Sequence, residues 1–388
     1  MRIVIDATNL RDGGGVTHLT KILNFSHLSE NSFTEVLVLG SKGLLTKIHD
    51  KPHIIKVHKK IFEKNFLLRS LWLFIYFDIF LKQSKADILF SPGGNIYTSF
   101  HPVVTMSRNS LPLELSEARR YGFSFVFFRL FCLRILQKRS FLNSDGFIFL
   151  NTYAEGLFKI QGWLDSTKNL PITTIIPHGV TPINVEKIIS QSVEKNYFEC
   201  DRPFRIIYVS IIDVYKHHDK VVKAIEKLII KGLCVEINFV GPYYRKAYKN
   251  LMNIMKEMTE ETKSRIKYHG KLTSSEQAVL YSKMDCVLFA SSCENMPNIL
   301  LEGMSSGLPI AASNRGPMPE ILKSACLYFN PESVDSICEA LEKLYSSRLL
   351  RANLAHRSLA ISKNYSWKKC SKQTFEFLTY IAKKECVV

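Results

Sequence analysis

Short apolar runs, uninterrupted by polar residues and separated by stretches with helical spacing, recur along most of the chain. RIVIDA opens the series at 2–7, and EVLVLG (35–40), DILFS (87–91), PVVTM (102–106), GFIFL (146–150) and TTIIPHG (173–179) continue it. A strand that is apolar on both faces must be covered on both. An alternation of strand, helix and strand achieves this with a parallel sheet between helical layers.

After residue 180 the stretch TPINVEKIISQSVEKNYFECDRP loses the apolar period and ends in Pro203, which reads as a connection. A second series then begins with RIIYVS (205–210), a helical pattern at 217–231, VEINFVG (235–241), a helix through about 246–262, and IKYHG (266–270). DCVLFA (285–290) and LPIAAS (308–313) complete it. A chain of 388 residues exceeds what one core normally serves. The fold class expected is therefore α/β, with two Rossmann-like domains facing across a cleft, the first at 1–180, a connection at 181–204 and the second at 205–364.

Hydrophobic residues at 46% and charged residues at 22% exclude a disordered or collagen-like chain. The balance of 52 Lys and Arg against 35 Asp and Glu gives 52 − 35 = +17, which favours anionic partners. No helix-turn-helix, zinc-finger or RNA-recognition signature accompanies that charge, so nucleic acid is not expected among them. The nine cysteines are widely spaced and form no C-x-x-C pair, which fits neither a disulfide scaffold nor a zinc ribbon. Charged and polar positions in MRIVIDATNL interrupt the apolar stretch a signal peptide needs, so a cytoplasmic setting is expected.

The most informative stretch is DCVLFASSCENMPNILLEGMSSGLPIAAS (285–313), read as strand, loop, helix and strand. Pro297 suits the first helical turn because that position cannot use an amide hydrogen, and Gly307 with Pro309 stops the helix. The amides of Asn298, Ile299 and Leu300 are expected to point into the loop at the strand's carboxyl end, where N–H groups and helix dipole together favour an anion. Glu294 before this helix and Glu302 within it would bracket that anion with acceptors suited to sugar hydroxyls. A solvated Glu294 and a Glu302 that caps a neighbouring amide fit the spacing equally.

This segment resembles the E-x7-E region of the large retaining family of nucleotide-sugar glycosyltransferases, group 1 (family 4), which have the GT-B fold. YVSIIDVYKHHDKVVKAI (208–225), the glycines at 13–15, IIPHGV (175–180) and YSWKK near the end join the resemblance, which so covers nearly the whole chain. It implies transfer of a sugar from a nucleoside diphosphate sugar to a glycan or lipid-linked saccharide, with retention and with no bound metal or other cofactor. Lys216 would face the diphosphate, Glu294 the donor sugar and Glu302 the ribose. The loop Asn295, Met296 and Pro297, with the amides of Asn298 and Ile299, would hold the diphosphate or sugar. His269 and Gly270 in YHGKL would lie near the base, and the tail from Tyr365 onward, 365–388, would cross back to the first domain.

The glycines at 13–15 precede the first helix in this reading and let a ligand approach closely. G-G-G-V-T-H is not the dinucleotide fingerprint. By resemblance Gly14 and Gly15 would face the donor, and His18, Arg108 and Asn109 would lie on the acceptor side. The family's usual Arg five residues before its Lys is replaced here by Ile211, with Arg245 and Arg315 as candidate substitutes. Its usual His is replaced by the loop holding Arg108 and Asn109, and retention can dispense with a histidine base if the leaving phosphate takes the acceptor's proton.

Residues 66–81 and 121–136 are very apolar, yet Arg69 and Asp78 interrupt the first and Arg129 and Arg134 the second, so neither is expected to span a bilayer. Around them, 42–69 carries eight Lys or Arg against two acids and 108–139 seven against two. Two readings fit. Either the helices pack on the sheet with solvated cationic heads, or they form an amphipathic surface on the anionic inner face of the cytoplasmic membrane, each basic residue contributing roughly 1 kcal/mol. Two rivals to the transfer reaction fit the same motifs: a sugar-nucleotide epimerase or hydrolase on this fold, and a catalytically silent membrane or glycan-binding subunit.

Overall fold

The computed structural model describes residues 1–26, 33–165, 170–183, 197 and 202–385. The chain divides into two compact units: residues 1–115, 123–179 and 366–388 in the first, 116–122 and 180–365 in the second. Much of the expected connection at 181–204 lies outside the described residues.

In the first unit seven parallel strands run in the order β3-β2-β1-β4-β5-β6-β7. They are β1 (Arg2–Asp6), β2 (Glu35–Leu39), β3 (Ile54–Val57), β4 (Ile88–Ser91), β5 (Val103–Met106), β6 (Gly146–Phe149) and β7 (Ile172–Ile175). The short β3 was not foreseen, because IIKV is broken by Lys56 and lies in a stretch rich in Lys and His. The last strand was expected to reach 179 but ends at Ile175, short of Pro177, which has no amide to give a ladder. Gly13 holds a left-handed φ of 71° as the cap of the helix Gly14–Asn24. Gly14 and Gly15 therefore do not precede that helix but open it, since the amides of Val16 and Thr17 already bond back to the Gly13 carbonyl. The last helix, Trp367–Glu385, packs in this unit against Gly14–Asn24, with the Ser371 hydroxyl donating to the Ile22 carbonyl at 2.7 Å.

The second unit has six parallel strands in the order β10-β9-β8-β11-β12-β13. They are β8 (Phe204–Val209), β9 (Val235–Val240), β10 (Ile266–Tyr268), β11 (Cys286–Phe289), β12 (Ile310–Ser313) and β13 (Leu327–Phe329). β8, β9, β11 and β12 are buried almost end to end, as continuous apolar runs require. The single helix expected at 246–262 is two, Arg245–Lys256 and Glu260–Ser264. Thr259 starts the second by accepting the Thr262 amide at 3.2 Å, a cap that the apolar spacing hides.

In each sheet the strand order reverses once, between β1 and β4 in the first and between β8 and β11 in the second. Loops leaving the carboxyl ends of strands on either side of such a reversal splay apart, and the opening between them is where open α/β sheets take ligands.

Candidate active site

At the reversal in the second unit, the loops 210–217 and 290–297 lie side by side. Ser292 stitches them together: its amide donates to the Tyr215 carbonyl at 2.9 Å, and its hydroxyl lies 2.9 Å from His217 Nε2. Tyr208 braces the first loop from below by donating to the Lys216 carbonyl at 2.9 Å. Gly241 crosses so close to Ser210 that a Cβ there would strike the Ser210 carbonyl.

Across this seam Lys216 Nζ pairs with Glu294 Oε1. Lys216 is only 6% exposed, and its ammonium stands over the rings of Tyr215 (5.0 Å) and Phe289 (5.5 Å). The alternative of a surface lysine is thereby excluded, and Glu294 is no solvated loop residue, its side chain being 15% exposed. His217 follows in the left-handed conformation (φ 51°), which turns the chain into the helix His218–Ile230. Burial lowers the His217 pKa, so the ring is neutral. With Nε2 protonated it donates to Ser292, which leaves the Ser292 hydroxyl free to donate in turn.

The helix Asn298–Ser305 starts beside Glu294, with Pro297 at its cap and not in its first turn (φ −77°, ψ 109°). Its first amides do not all face the loop as expected: the Leu300 amide turns back to the Pro297 carbonyl at 3.1 Å. Asn295 and Met296 are buried, Asn298 and Ile299 half-buried, and Glu302 lies half-buried one turn into the helix. His269 and Gly270 lie past β10, where the Gly270 carbonyl accepts the Gly241 amide at 2.8 Å and His269 Nε2 meets Asn238 Oδ1 at 2.8 Å.

A group that sequence reasoning missed completes the site. Residues 116–122, which interrupt the first unit in sequence, belong to the second. Glu117 accepts the Ser292 hydroxyl at 2.6 Å and grips Arg120 in two bonds of 2.7 and 3.1 Å, while Arg120 also pairs with Glu332. Arg120 lines a cavity of about 450 Å³ with Ile212, Asp213 and Lys246. Of the cations proposed to substitute at Ile211, Arg245 is exposed and Arg315 is half exposed, 4.0 Å from Glu332. Arg120 is thus the guanidinium beside this loop, and no motif spacing ties it to Lys216. The one hint in the sequence is that Glu114 and Glu117 are the only acids in 108–139.

The acceptor-side candidates fall in the first unit. His18 is not at a surface: it is 1% exposed, stacked on His178 (centroids 4.6 Å apart) and beside Trp367 (5.9 Å). His18 after the glycine-rich opening, His178 of IIPHGV and Trp367 of YSWKK thus meet in one buried cluster. Burial and two cationic or imidazole neighbours hold the His18 pKa well below its ordinary value. Its neutral ring accepts from Arg108 Nη1 at 3.4 Å on one nitrogen and meets Cys370 Sγ at 3.7 Å on the other. Burial lowers Arg108 to about 10, and its guanidinium also backs onto Gly15, where a Cβ would lie 3.5 Å away. Asn109 is exposed.

The sheet reversal of the second unit thus brings a buried lysine–glutamate pair beside a helix start. Residues 191–359 match the family described as glycosyl transferases group 1. The chain's two parallel sheets are those of the GT-B fold.

Among curated proteins it is 30% identical over 109 residues to the O-antigen chain mannosyltransferase B of Escherichia coli, a stretch that is 28% of this chain and 29% of that protein. The match thus spans less than a third of that relative. Fold likeness runs further. A sucrose-phosphate synthase from Thermosynechococcus elongatus superposes with a TM-score of 0.72 at 15% identity, covering 96% of this chain and 97% of that one. HepE of Anabaena, solved with UDP and glucose, gives 0.67 at 16% identity, covering 96% and 98%. The sequence match to the mannosyltransferase thus covers part of the chain, while the fold is shared over nearly all of it.

Proposed function

We propose that this protein transfers a sugar from a nucleoside diphosphate sugar to a glycan or lipid-linked saccharide, with retention and without a bound metal. The observation that carries this reading is the buried Lys216–Glu294 pair at the sheet reversal. A diphosphate seated at the start of the Asn298–Ser305 helix would draw the Lys216 ammonium to itself, and the compact cation would neutralise the charge that builds on the departing phosphate. Glu294, released from Lys216, would accept hydroxyls of the donor sugar, while Glu302 takes the ribose. Asn295, Met296, Pro297, Asn298 and Ile299 would line the diphosphate and sugar, Gly270 would lie toward the base, and Gly14 and Gly15 would contribute from the first unit.

On the acceptor side Asn109 is exposed and Arg108 half-buried, and His18 would act through Arg108. No protein base is needed there if the leaving phosphate itself takes the acceptor's proton on the same face of the sugar. The O-antigen relative supports an acceptor in bacterial surface polysaccharide or lipopolysaccharide synthesis, and the UDP-bound neighbour supports a nucleotide-sugar donor.

The test is thermal stability of the purified protein against UDP, GDP, ADP and CMP, each with magnesium and with a chelator. A ligand that binds the native state must raise its apparent stability. A rise with UDP or GDP alone, equal under both conditions, is expected. A rise that needs magnesium would overturn the metal-free reading, and no rise with any nucleotide would overturn the donor site.

A further inference from the structure

Two helices of the first unit, Phe66–Gln83 and Phe125–Leu142, turn large apolar side chains to solvent. Strand register shows that they cover the same face of the sheet. Leu37, Val4, Leu89 and Val103 stand in one row across β2, β1, β4 and β5, and they form a core cluster with Leu73, Phe77 and Leu81 of the first helix. Thr105 is two residues beyond Val103 and so faces the same way. Opposite Thr105 is Phe147, which packs on Phe141 of the second helix with ring centroids 4.9 Å apart.

The outer side of this layer is as apolar as the inner. On the first helix Leu68, Leu71, Ile75 and Ile79 make one stripe, each about half exposed, with Phe74 beside it at 77%. On the second, Phe125 is 80% exposed and Phe128, Phe131 and Ile135 more than half. The cations Arg129, Lys138 and Arg139 stand exposed among them, and Lys82 ends the first stripe. Residues 123–142 contain no acid, and the one acid in 66–83, Asp78, is bound to Thr98 and Ser99. Contiguous exposed apolar surface of this kind marks an interaction site. A second copy of the chain is a poor occupant, because a two-fold interface would set Arg129, Lys138 and Arg139 against themselves with no acid to pair them.

We propose that the outer faces of these two helices are a docking surface for an anionic lipid bilayer, with the aromatic stripe inserted at the headgroup boundary and the cations on lipid phosphates. Among the described residues no helix is long and apolar enough to cross a membrane, so the attachment made here is peripheral. The inference gives the lipid-linked acceptor of the proposed reaction a place to be met, but it needs no donor and no turnover, so either can fail without the other.

The experiment is co-sedimentation of the full chain with vesicles of phosphatidylcholine alone and of phosphatidylcholine mixed with phosphatidylglycerol. Binding to the mixed vesicles alone is expected, falling at least about tenfold in Phe125→Ser/Phe128→Ser/Phe131→Ser and in Arg129→Glu/Lys138→Glu/Arg139→Glu. The second variant alters only exposed side chains, so its result stands should the first fail to fold. In Phe128→Trp, added mixed vesicles are expected to shift tryptophan emission to the blue relative to the same addition to the wild type. Undiminished binding in the charge-reversal variant together with an unmoved Phe128→Trp spectrum would overturn the proposal. So would a wild-type dimer that the Phe→Ser variant dissolves while vesicle binding is unchanged.

Discussion

The Ser292 hydroxyl donates to the Glu117 carboxylate at 2.6 Å, although 175 residues separate the two in sequence. Ser292 is two residues from Glu294 and is bonded to His217, the neighbour of Lys216. Glu117 therefore ties to both loops through a single hydroxyl, which in the proposed reaction is a positioning role. Glu117→Ala and Ser292→Ala are each expected to lower kcat about tenfold, on the order of 1.4 kcal/mol, with the donor KM little changed. The double variant should lose less than the sum of the two single losses, because both remove the bond they share. Additive losses in that cycle would separate the two residues.

Lys216 and Glu294 pair with each other but have different duties in the proposed reaction. Lys216→Ala is expected to lower turnover at least about tenfold and to abolish the stabilisation by nucleoside diphosphate. Glu294→Ala should lower turnover as much yet keep that stabilisation, since its partner would be the sugar. Equal loss of nucleotide binding in both would move Glu294 to the diphosphate, and near-wild-type turnover in both would sink the site assignment.

Sheet burial on both faces leaves mostly apolar runs, and eleven of the thirteen strands among the described residues were read from the sequence. IIKV at 54–57 and LYF at 327–329 were not, being short and close to the sheet edges. Lys216 was reached only through the resemblance, whereas Glu294 and the 298 helix start were legible because local backbone chemistry places them: strand, loop, proline, helix. Glu117 and Arg120 were not, because their role comes from a return of the chain to the second unit that no local period encodes. His18 misled for a related reason, since a histidine beside glycines looks like a ligand contact until His178 and Trp367 arrive from far along the chain to bury it.

His218 links the site to acid stability. It is stacked on Tyr208 with centroids 4.7 Å apart, and burial, with Lys216 and His217 nearby, pushes its pKa down to about 3 from an ordinary 6.5. Between those values the unfolded chain takes up a proton that the native state refuses. The contribution is therefore complete above about pH 6.5 and is lost as pH falls toward 3, at up to about 1.4 kcal/mol per unit. His218→Phe, which keeps a ring against Tyr208, is expected to flatten the fall of the melting temperature between these limits. Parallel wild-type and variant curves would show that His218 does not titrate with unfolding.

Gly179 is where the first unit closes on its last helix. A Cβ there would overlap the backbone nitrogen and Cα of Trp367, and backbone cannot swing aside as a side chain can. Gly179→Ala must push the Trp367–Glu385 helix outward, opening the stack of His18, His178 and Trp367 and loosening the hydrogen bond from Ser371 to Ile22. A loss of at least about 2 kcal/mol is expected, the scale of overpacking combined with a broken buried network. Gly156 supplies the control, since it lies in the helix Thr152–Ile160 with nothing within 4 Å of a new Cβ. Gly156→Ala should stabilise by up to about 1 kcal/mol through helix propensity. Urea unfolding of the two variants side by side checks both signs, and a neutral Gly179→Ala would mean that the helix is not held against this strand end.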